Sequence, residues 1–192
     1  MESVAASGIL TASFDNAAMA LDDFDAVVRL HWPAVFRFAL ASVRDRDAAQ
    51  TLTQDCFVHA WKARAGFRGS STVKTWIMRI AVNLVRDHAR NRRLRFWRRT
   101  TKEALDISAA GEQLRDSAVS AERRMLIGEE VRQVWAASGS LPERQRTVFL
   151  LRFVEDMDLL DIAAATGLKE GTVKIHLFRA LQSVRERLGE RK

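Results

Sequence analysis

Basic residues are concentrated in one short segment of this 192-residue chain. Residues 86–102 carry eight arginines and lysines against a single acid, Asp87, and so account for the whole formal net charge of +7. Guanidinium groups at this density bind phosphates, which predicts a polyanionic partner: DNA, RNA or an anionic membrane. The alternative, a solvated and salt-bridged helix face, is disfavoured because almost no acid lies within helical reach.

A helix with two contrasting faces is predicted to lead into this segment. Residues suited to a core recur at spacings of three and four from Val73 to Val85 and on to His88, which gives the helix one buried face. At about 100° per residue, the other face carries Arg79, Arg86, Arg90 and Arg93. Residues 65–72 before it contain two glycines and three hydroxyl side chains. They predict a tight loop with Ser70 or Ser71 as helix N-cap, whose hydroxyls and backbone can also hydrogen-bond a ligand.

A second pattern, near the C-terminus, predicts a helix-turn-helix motif. Ala163, Gly167 and Val173 are spaced by four and six residues. A small alanine lets two helices cross closely, a glycine adopts the left-handed turn conformation, and a valine anchors the second helix from behind.

The second helix of this motif is predicted to expose apolar residues beside cations. Its buried stripe consists of Val173, Leu177, Ala180, Leu181, Val184 and Leu188. On the other side, Ile175 and Phe178 lie beside Lys174 and Arg179. In a major groove such apolar groups touch thymine methyls while the cations reach phosphates or guanine edges. The alternative is that a neighbouring helix covers the two apolar residues.

Helical periodicity extends through most of the chain, which predicts an all-α protein. Only two prolines occur, and no stretch alternates long enough to make a convincing strand. We expect two small helical domains joined by a flexible linker: a loose leader at 1–20, domains at 21–98 and 121–192, and the linker at 99–120. Within the second domain, Ser140–Glu143 predicts a capping box that opens a helix through Val154.

Composition argues for the cytoplasm. A single cysteine precludes an internal disulfide and fits a reducing compartment. No run approaches the roughly 18 apolar residues that a membrane span needs, and the N-terminus lacks the pattern of a secretory signal. We therefore expect a cytoplasmic protein without membrane insertion.

Catalysis is not indicated by any motif. Asp55 and His59 have the spacing of two metal ligands on one helix, but no convincing third ligand accompanies them. No nucleophile elbow or phosphate loop is present, and Cys56 beside Phe57 is expected to pack in the core. We expect no enzyme activity, no cofactor and no metal.

Two sets of segments resemble the extracytoplasmic-function sigma factors of bacterial RNA polymerase, within the sigma-70 family. QDCFVHAW at 54–61, FRGSS at 67–71 and TWIMRIAVNLVRDH at 75–88 resemble their second conserved region. LPERQR at 141–146 through GTVK at 171–174 resembles their fourth region. The order and spacing match over about 21–188. This resemblance implies a factor that directs core RNA polymerase to promoter DNA and helps open it, under an anti-sigma factor or another regulator.

The resemblance also implies roles for individual residues. The single-stranded −10 element would be held by Phe67, Ser70, Ser71, Thr72, Arg79, Asn83, Arg86, Arg90 and Arg93. The −35 duplex would be read by Thr172, Lys174, Ile175, Phe178 and Arg179. Gln50 and Thr51 stand where the family usually has an acidic pair, so contact with the polymerase clamp would lean on Leu52, Gln54, Asp55 and Val58.

A simpler DNA-binding protein is the alternative. Residues 172–176 also resemble the output domain of two-component and quorum-sensing regulators. Such a regulator needs a sensor or receiver domain upstream, and residues 21–98 show no alternation of strands and helices. The sequence therefore favours the sigma factor.

Overall fold

The computed structural model describes residues 23–102 and 129–189, with side chains at 23–92 and 134–189. Four helical segments make up the first range: α1 (Phe24–Val43), α2 (Arg46–Ala63), a 3₁₀ turn (Arg64–Gly66) and α3 (Val73–Lys102). The second range contains α4 (Glu129–Ser138), α5 (Glu143–Phe153), α6 (Leu159–Thr166) and α7 (Glu170–Gly189). The described residues contain no strand, and the all-α prediction is confirmed. The leader at 1–20 and linker residues 103–120 lie outside the described residues.

The first three helices form a bundle around an apolar centre. Asp23 and Asp45 begin α1 and α2 by accepting hydrogen bonds from the third backbone N–H that follows, each at 2.9 Å. Such caps satisfy donors that have no partner within the helix. Phe38 of α1 and Ile77 of α3 are completely buried where the helices meet.

Helix α1 is more apolar than the sequence analysis allowed. Its 20 residues are long and apolar enough, at a mean hydropathy of 1.2, to satisfy the usual criterion for a membrane span. Five of its side chains are nevertheless buried in the bundle, and Arg37 forms an ion pair with Glu155. The core helix of a folded bundle satisfies the same criterion.

Helix α3 is buried on a broader arc than the predicted stripe. Thr75, Met78 and Val82 are buried although the apolar pattern does not include them. The reason is that α3 packs against α1 and α2 on one side and against α6 on another. The two halves of the chain therefore share one continuous core, and α3 extends to Lys102, past the expected boundary at 98.

The predicted capping box at Ser140–Glu143 is wrong. Helix α5 begins at Glu143 with Pro142 as its N-cap, and no side chain bonds the cap. Ser140 lies too far upstream and in the turn that follows α4, so its hydroxyl donates to the Ala137 carbonyl at 2.7 Å. The helix ends at Phe153, with Val154 as its C-cap.

The helix-turn-helix prediction is confirmed in detail. Asp158 caps α6 by accepting from the Asp161 N–H at 2.7 Å. Gly167 ends α6 with a φ of 71°, and its N–H donates to the Ala163 carbonyl at 2.9 Å. Helix α7 then turns its predicted stripe inward: Val173, Ala180 and Val184 are buried, and Leu177, Leu181 and Leu188 are half-buried.

Replacing Gly167 by alanine should lower the free energy of unfolding by about 1–2 kcal/mol, because a Cβ is strained in the left-handed conformation. The surrounding space is open, so the loss is one of backbone strain alone. Gly171→Ala is the matched control, since Gly171 has helical backbone and open space. It should leave the free energy unchanged or raise it. Thermal melting monitored by circular dichroism compares the two variants, and equal stability would contradict the assigned turn.

The Cys56 thiol should resist alkylation in the folded protein. Its side chain is fully buried, and Sγ lies 3.6 Å from the Ile77 carbonyl oxygen. Burial raises the pKa of the thiol to about 12, so the reactive thiolate is scarce at pH 8. Iodoacetamide labelling followed by mass spectrometry should be many times slower in buffer than in denaturant. Comparable rates would show that the thiol is accessible.

Candidate nucleic-acid interface

The loop before α3 is built around an aromatic pair and a capping threonine. The Phe67 ring packs against Trp76 with centroids 5.1 Å apart, and Gly69 has a φ of 66°. Thr72 is the N-cap of α3, because its Oγ1 accepts from the Thr75 N–H at 3.1 Å and its carbonyl accepts the first helical bond. The prediction of Ser70 or Ser71 as the cap is therefore wrong. Ser70 is exposed and Ser71 is half-buried.

The basic face of α3 is exposed as predicted. Arg79, Asn83, Arg86 and Arg90 recur at helical spacing and all are exposed. Arg86 Nη2 donates to the Asn83 amide oxygen at 2.8 Å, and Arg90 forms an ion pair with Asp87 at 3.3 Å. The face spans about 16 Å from 79 to 90, at 1.5 Å per residue. Arg93 continues α3, but its side chain lies outside the described part.

The outer side of α7 presents the predicted combination of apolar and basic groups. Ile175 and Phe178 are 52% and 70% exposed, so no described residue covers them. Lys174 and Arg179 are exposed beside them, while Thr172 is half-buried near the helix start. Lys174 forms an ion pair with Glu170 one turn earlier at 2.6 Å, which orients its ammonium along the helix.

The four residues predicted to contact polymerase separate into two environments. Gln54, Asp55 and Val58 are exposed on α2. Leu52 is 8% exposed and packs in the core, which leaves little of its side chain open to a partner. It lies on the buried stripe of α2, where it fixes the position of the helix.

Trp61 enlarges this exposed side of α2, although it was not among the predicted contact residues. Its ring is 47% exposed, and it follows the exposed Val58 by three residues on the same face. The Arg64 guanidinium carbon lies 3.3 Å from the ring centroid, and Phe24 contacts the ring edge-on at 5.1 Å. The spacing from Val58 was the available signal. Trp135 is also partly exposed, at 37%.

Metal ligation gains no support from the structure. Asp55 and His59 are both exposed on α2. Within 23–92 and 134–189, no group of three or more histidine, cysteine or acidic side chains is arranged to hold an ion.

A buried polar contact joins the two halves of the chain. Glu155, just after α5, is 2% exposed, and its carboxylate accepts from Arg37 of α1 at 2.9 and 3.3 Å. Lys74 of α3 donates to the Glu155 backbone carbonyl. Burial raises the pKa of Glu155, although Arg37 and Lys74 act in the opposite direction. Burial also lowers the pKa of His31, and Lys74 lowers it further.

A second polar chain links the loop before α3 to the helix-turn-helix. The Thr75 hydroxyl donates to the Asp161 carboxylate at 2.6 Å and lies 2.8 Å from the Thr72 hydroxyl. Because the Thr75 proton is directed at Asp161, the Thr72 hydroxyl is the donor of the other bond. Thr72 of the predicted DNA-binding loop is thus tied to α6.

Arginines hold the end of α4 against the first half. Arg44 donates to the Trp135 carbonyl at 3.0 Å, and Arg146 donates to the Ser42 carbonyl at 3.1 Å. The Arg44 guanidinium occupies the space that a Cβ on Gly139 would fill. None of these links between halves has a signal in the sequence, because the partners lie about 80 to 120 residues apart.

Comparison with known families accounts for both halves. Residues 27–95 match the family described as Sigma-70 region 2, and residues 132–184 match Sigma-70, region 4. The region 2 match sets aside the simpler regulator, whose upstream half would be a sensor or receiver domain.

Individual sequence relatives are also RNA polymerase sigma factors. The RNA polymerase sigma-H factor of Pseudomonas aeruginosa is 33% identical over 163 residues, covering 84% of this chain and 83% of the relative. The ECF RNA polymerase sigma-E factor of Escherichia coli K12 is 32% identical over 136 residues, covering 69% and 70%.

Solved structures share the fold. The sigma factor RpoE in complex with the anti-sigma factor NepR, from Bartonella quintana, superposes with a TM-score of 0.64 at 23% identity, over 87% of this chain and 97% of that one. CnrH in complex with the cytosolic domain of CnrY gives 0.64 at 22% identity, over 94% and 97%. The sequence relatives and the ordered pair of regions show that this chain belongs to the extracytoplasmic-function sigma factors of the sigma-70 family.

Proposed function

We propose that the two halves of this sigma factor divide promoter recognition between them. Residues 21–98 bind the polymerase clamp and hold the opened −10 strand, residues 121–192 read the −35 duplex, and 99–120 link them. The observation that carries this proposal is the pairing, on one chain, of an exposed arginine face beside a hydroxyl-bearing loop with an exposed apolar and basic face on a helix-turn-helix.

The α3 side suits an opened strand. Separated DNA needs cations along its backbone, and a base turned out of the stack needs a small pocket with hydrogen-bonding groups. Arg79, Arg86, Arg90 and Arg93 supply the cations, and Asn83 offers an amide. Arg86 already orients that amide.

The loop supplies the pocket. Phe67 is packed against Trp76, so it shapes the loop wall. The Thr72 hydroxyl is engaged in capping α3, which leaves Ser70 and Ser71 as the hydroxyls best placed to meet a base.

The α7 side suits duplex DNA. A helix-turn-helix places its second helix in the major groove, with residues near the N-terminus on base edges. Thr172, Lys174, Ile175, Phe178 and Arg179 all lie in the first half of α7. Ile175 and Phe178 are positioned for thymine methyl groups, and the two cations for phosphates or guanine.

The exposed side of α2 suits the polymerase clamp. Val58 and Trp61 give it an apolar centre, and Gln54 and Asp55 give it a polar rim. This arrangement is typical of protein interfaces, in which a central aromatic residue contributes much of the affinity. Leu52 supports the surface from the core.

Regulation and location follow from the same assignment. One solved structure of similar fold is a sigma factor in complex with an anti-sigma factor, and another is CnrH in complex with the cytosolic domain of CnrY. We infer that a protein regulator also binds this chain. The protein acts by binding polymerase and DNA without catalysing a reaction itself, and it works in the cytoplasm.

Replacing both Arg79 and Arg86 by alanine should weaken promoter opening on every promoter, because phosphate contacts carry no base information. Each lost contact to a single strand should flatten the plot of log affinity against log salt by about 0.7. Arg29→Ala with Arg46→Ala removes the same charge from exposed positions off this face and should change neither property. Permanganate footprinting and binding at several salt concentrations make the measurement. A double variant that only changes promoter choice would contradict the assignment.

Phe178→Ala should relax base preference within the −35 element by about 1–3 kcal/mol at one or two base pairs. The ring is 70% exposed, so the melting temperature should stay near that of the parent. Phe153→Ala, which removes another exposed phenylalanine of the same half, is the matched control and should leave base preference intact. Run-off transcription with core polymerase on a randomised −35 library reads the preference. Preference that is unchanged in a folded Phe178→Ala variant would place the reading face elsewhere.

A further inference from the structure

The contact between the two halves combines a continuous apolar core with several polar links. Arg37 and Lys74 bind Glu155, Thr75 binds Asp161, and Arg146 reaches across to the first half. Polar links of this kind are more frequent in interfaces between domains that separate during function than in permanent ones. Helix α3 meets α6 in the same contact.

This closed arrangement is incompatible with the proposed engagement of a whole promoter. Elements centred near −10 and −35 lie about 25 base pairs apart, or about 85 Å of duplex at 3.4 Å per base pair. In this structure the loop before α3, which is proposed to hold the −10 strand, lies against the helix-turn-helix. The Thr75 hydroxyl alone bridges Thr72 of this loop and Asp161 of α6. The two halves must therefore separate before both elements are bound.

In the closed state, the first half of the chain also covers part of a helix that is needed to bind duplex DNA. In a helix-turn-helix bound to DNA, the first helix crosses the phosphate backbone while the second enters the groove. In this chain the first helix is α6, and it packs against α3. Thr75, which lies under this contact, is 2% exposed.

Glu155 is the group whose burial opposes closure. Its side chain has no exposed surface, whereas the Arg37 side chain is half-exposed. Lys74 binds the backbone carbonyl and not the carboxylate. A buried carboxylate loses its hydration, and a single guanidinium that is itself in water offsets that loss only in part. The raised pKa of Glu155 has this desolvation as its first cause.

We propose that the free protein closes its two promoter-reading halves on each other, and that the buried carboxylate of Glu155 keeps this closed state easy to open. The inhibitory meaning of closure rests on the proposed function. The effect of Glu155 on closure does not, because it concerns the free chain alone.

The proposal predicts opposite effects for the two partners. Arg37→Gln leaves the carboxylate buried without its guanidinium, so the open population should rise several-fold. Glu155→Gln keeps an acceptor oxygen for Arg37 but removes the buried charge, so the open population should fall. Two exposed residues provide matched controls, Arg29→Gln on α1 and Glu186→Gln on α7, and both should behave like the parent.

Distances between spin labels at Gln50→Cys and Arg185→Cys would report opening in the full chain. Both positions are exposed and lie in different halves, and the buried Cys56 is left in place. Arg37→Lys, which keeps a cation with poorer geometry, should fall between the parent and Arg37→Gln. It keeps the test decisive if the glutamine variant does not fold, as judged by circular dichroism.

The outcomes are distinct. A parent without a short-distance population would overturn closure. If Glu155→Gln raises the open population as Arg37→Gln does, the role of carboxylate burial is overturned. Arg37 and Glu155 would then simply stabilise the closed state as an attractive ion pair. If the distances behave as expected, binding of core polymerase measures the inhibitory part separately, because apparent affinity rises in proportion to the open fraction. An unchanged affinity across these variants would refute self-inhibition while leaving the distance result intact.

Discussion

The packing of α3 on two sides is the interaction on which the rest of this structure depends. One side of the helix completes the bundle with α1 and α2, and another side receives α6 of the helix-turn-helix. Only the remaining arc is free for solvent, and that arc carries Arg79, Asn83 and Arg86. Because a close-packed helix cannot turn about its axis without losing its core contacts, the bundle with α1 and α2 fixes the direction in which the arginines point, whether or not α6 is in place.

The two halves use water differently in their proposed recognition surfaces. On α3 the arginine side chains are hydrated in the free protein, and the phosphates of a DNA strand would replace part of that water. On α7 the apolar groups Ile175 and Phe178 are exposed in the free protein, where they gain nothing from hydration. A groove that covers these two side chains is therefore favoured by apolar burial in addition to charge, which is a means of selecting one sequence over another.

Local patterns predicted most of the helices and the turn between α6 and α7. The turn at Gly167 could be predicted from the glycine and the residues next to it, and the buried stripe of α7 could be predicted from helical periodicity. The sequence failed where a distant partner decides the outcome. Met78 is buried because α6 covers α3, and Glu155 meets Arg37 from 118 residues away. Neither relation has a short-range signature.

The candidate sites show the same division. The exposure of Phe178 and of the arginine face followed from periodicity, whereas the burial of Leu52 and the exposure of Trp61 on α2 did not. Both lie near the edge of its buried stripe, where a shift of a few tens of degrees decides burial. The N-cap of α3 was misplaced by one or two residues, because three hydroxyl residues in a row all satisfy the capping preference.

The single cysteine limits how this protein can receive a signal. Sensor thiols react with peroxide because they are thiolates with access to solvent. Cys56 has neither property, since it is enclosed between α2 and α3 and its proton is held by burial. An oxidative stimulus therefore has no chemical entry point at a thiol in this chain. If an oxidative stimulus controls the genes that this sigma factor transcribes, the oxidised thiol belongs to a different molecule. The effect on this chain is then a change in which partner is bound to it.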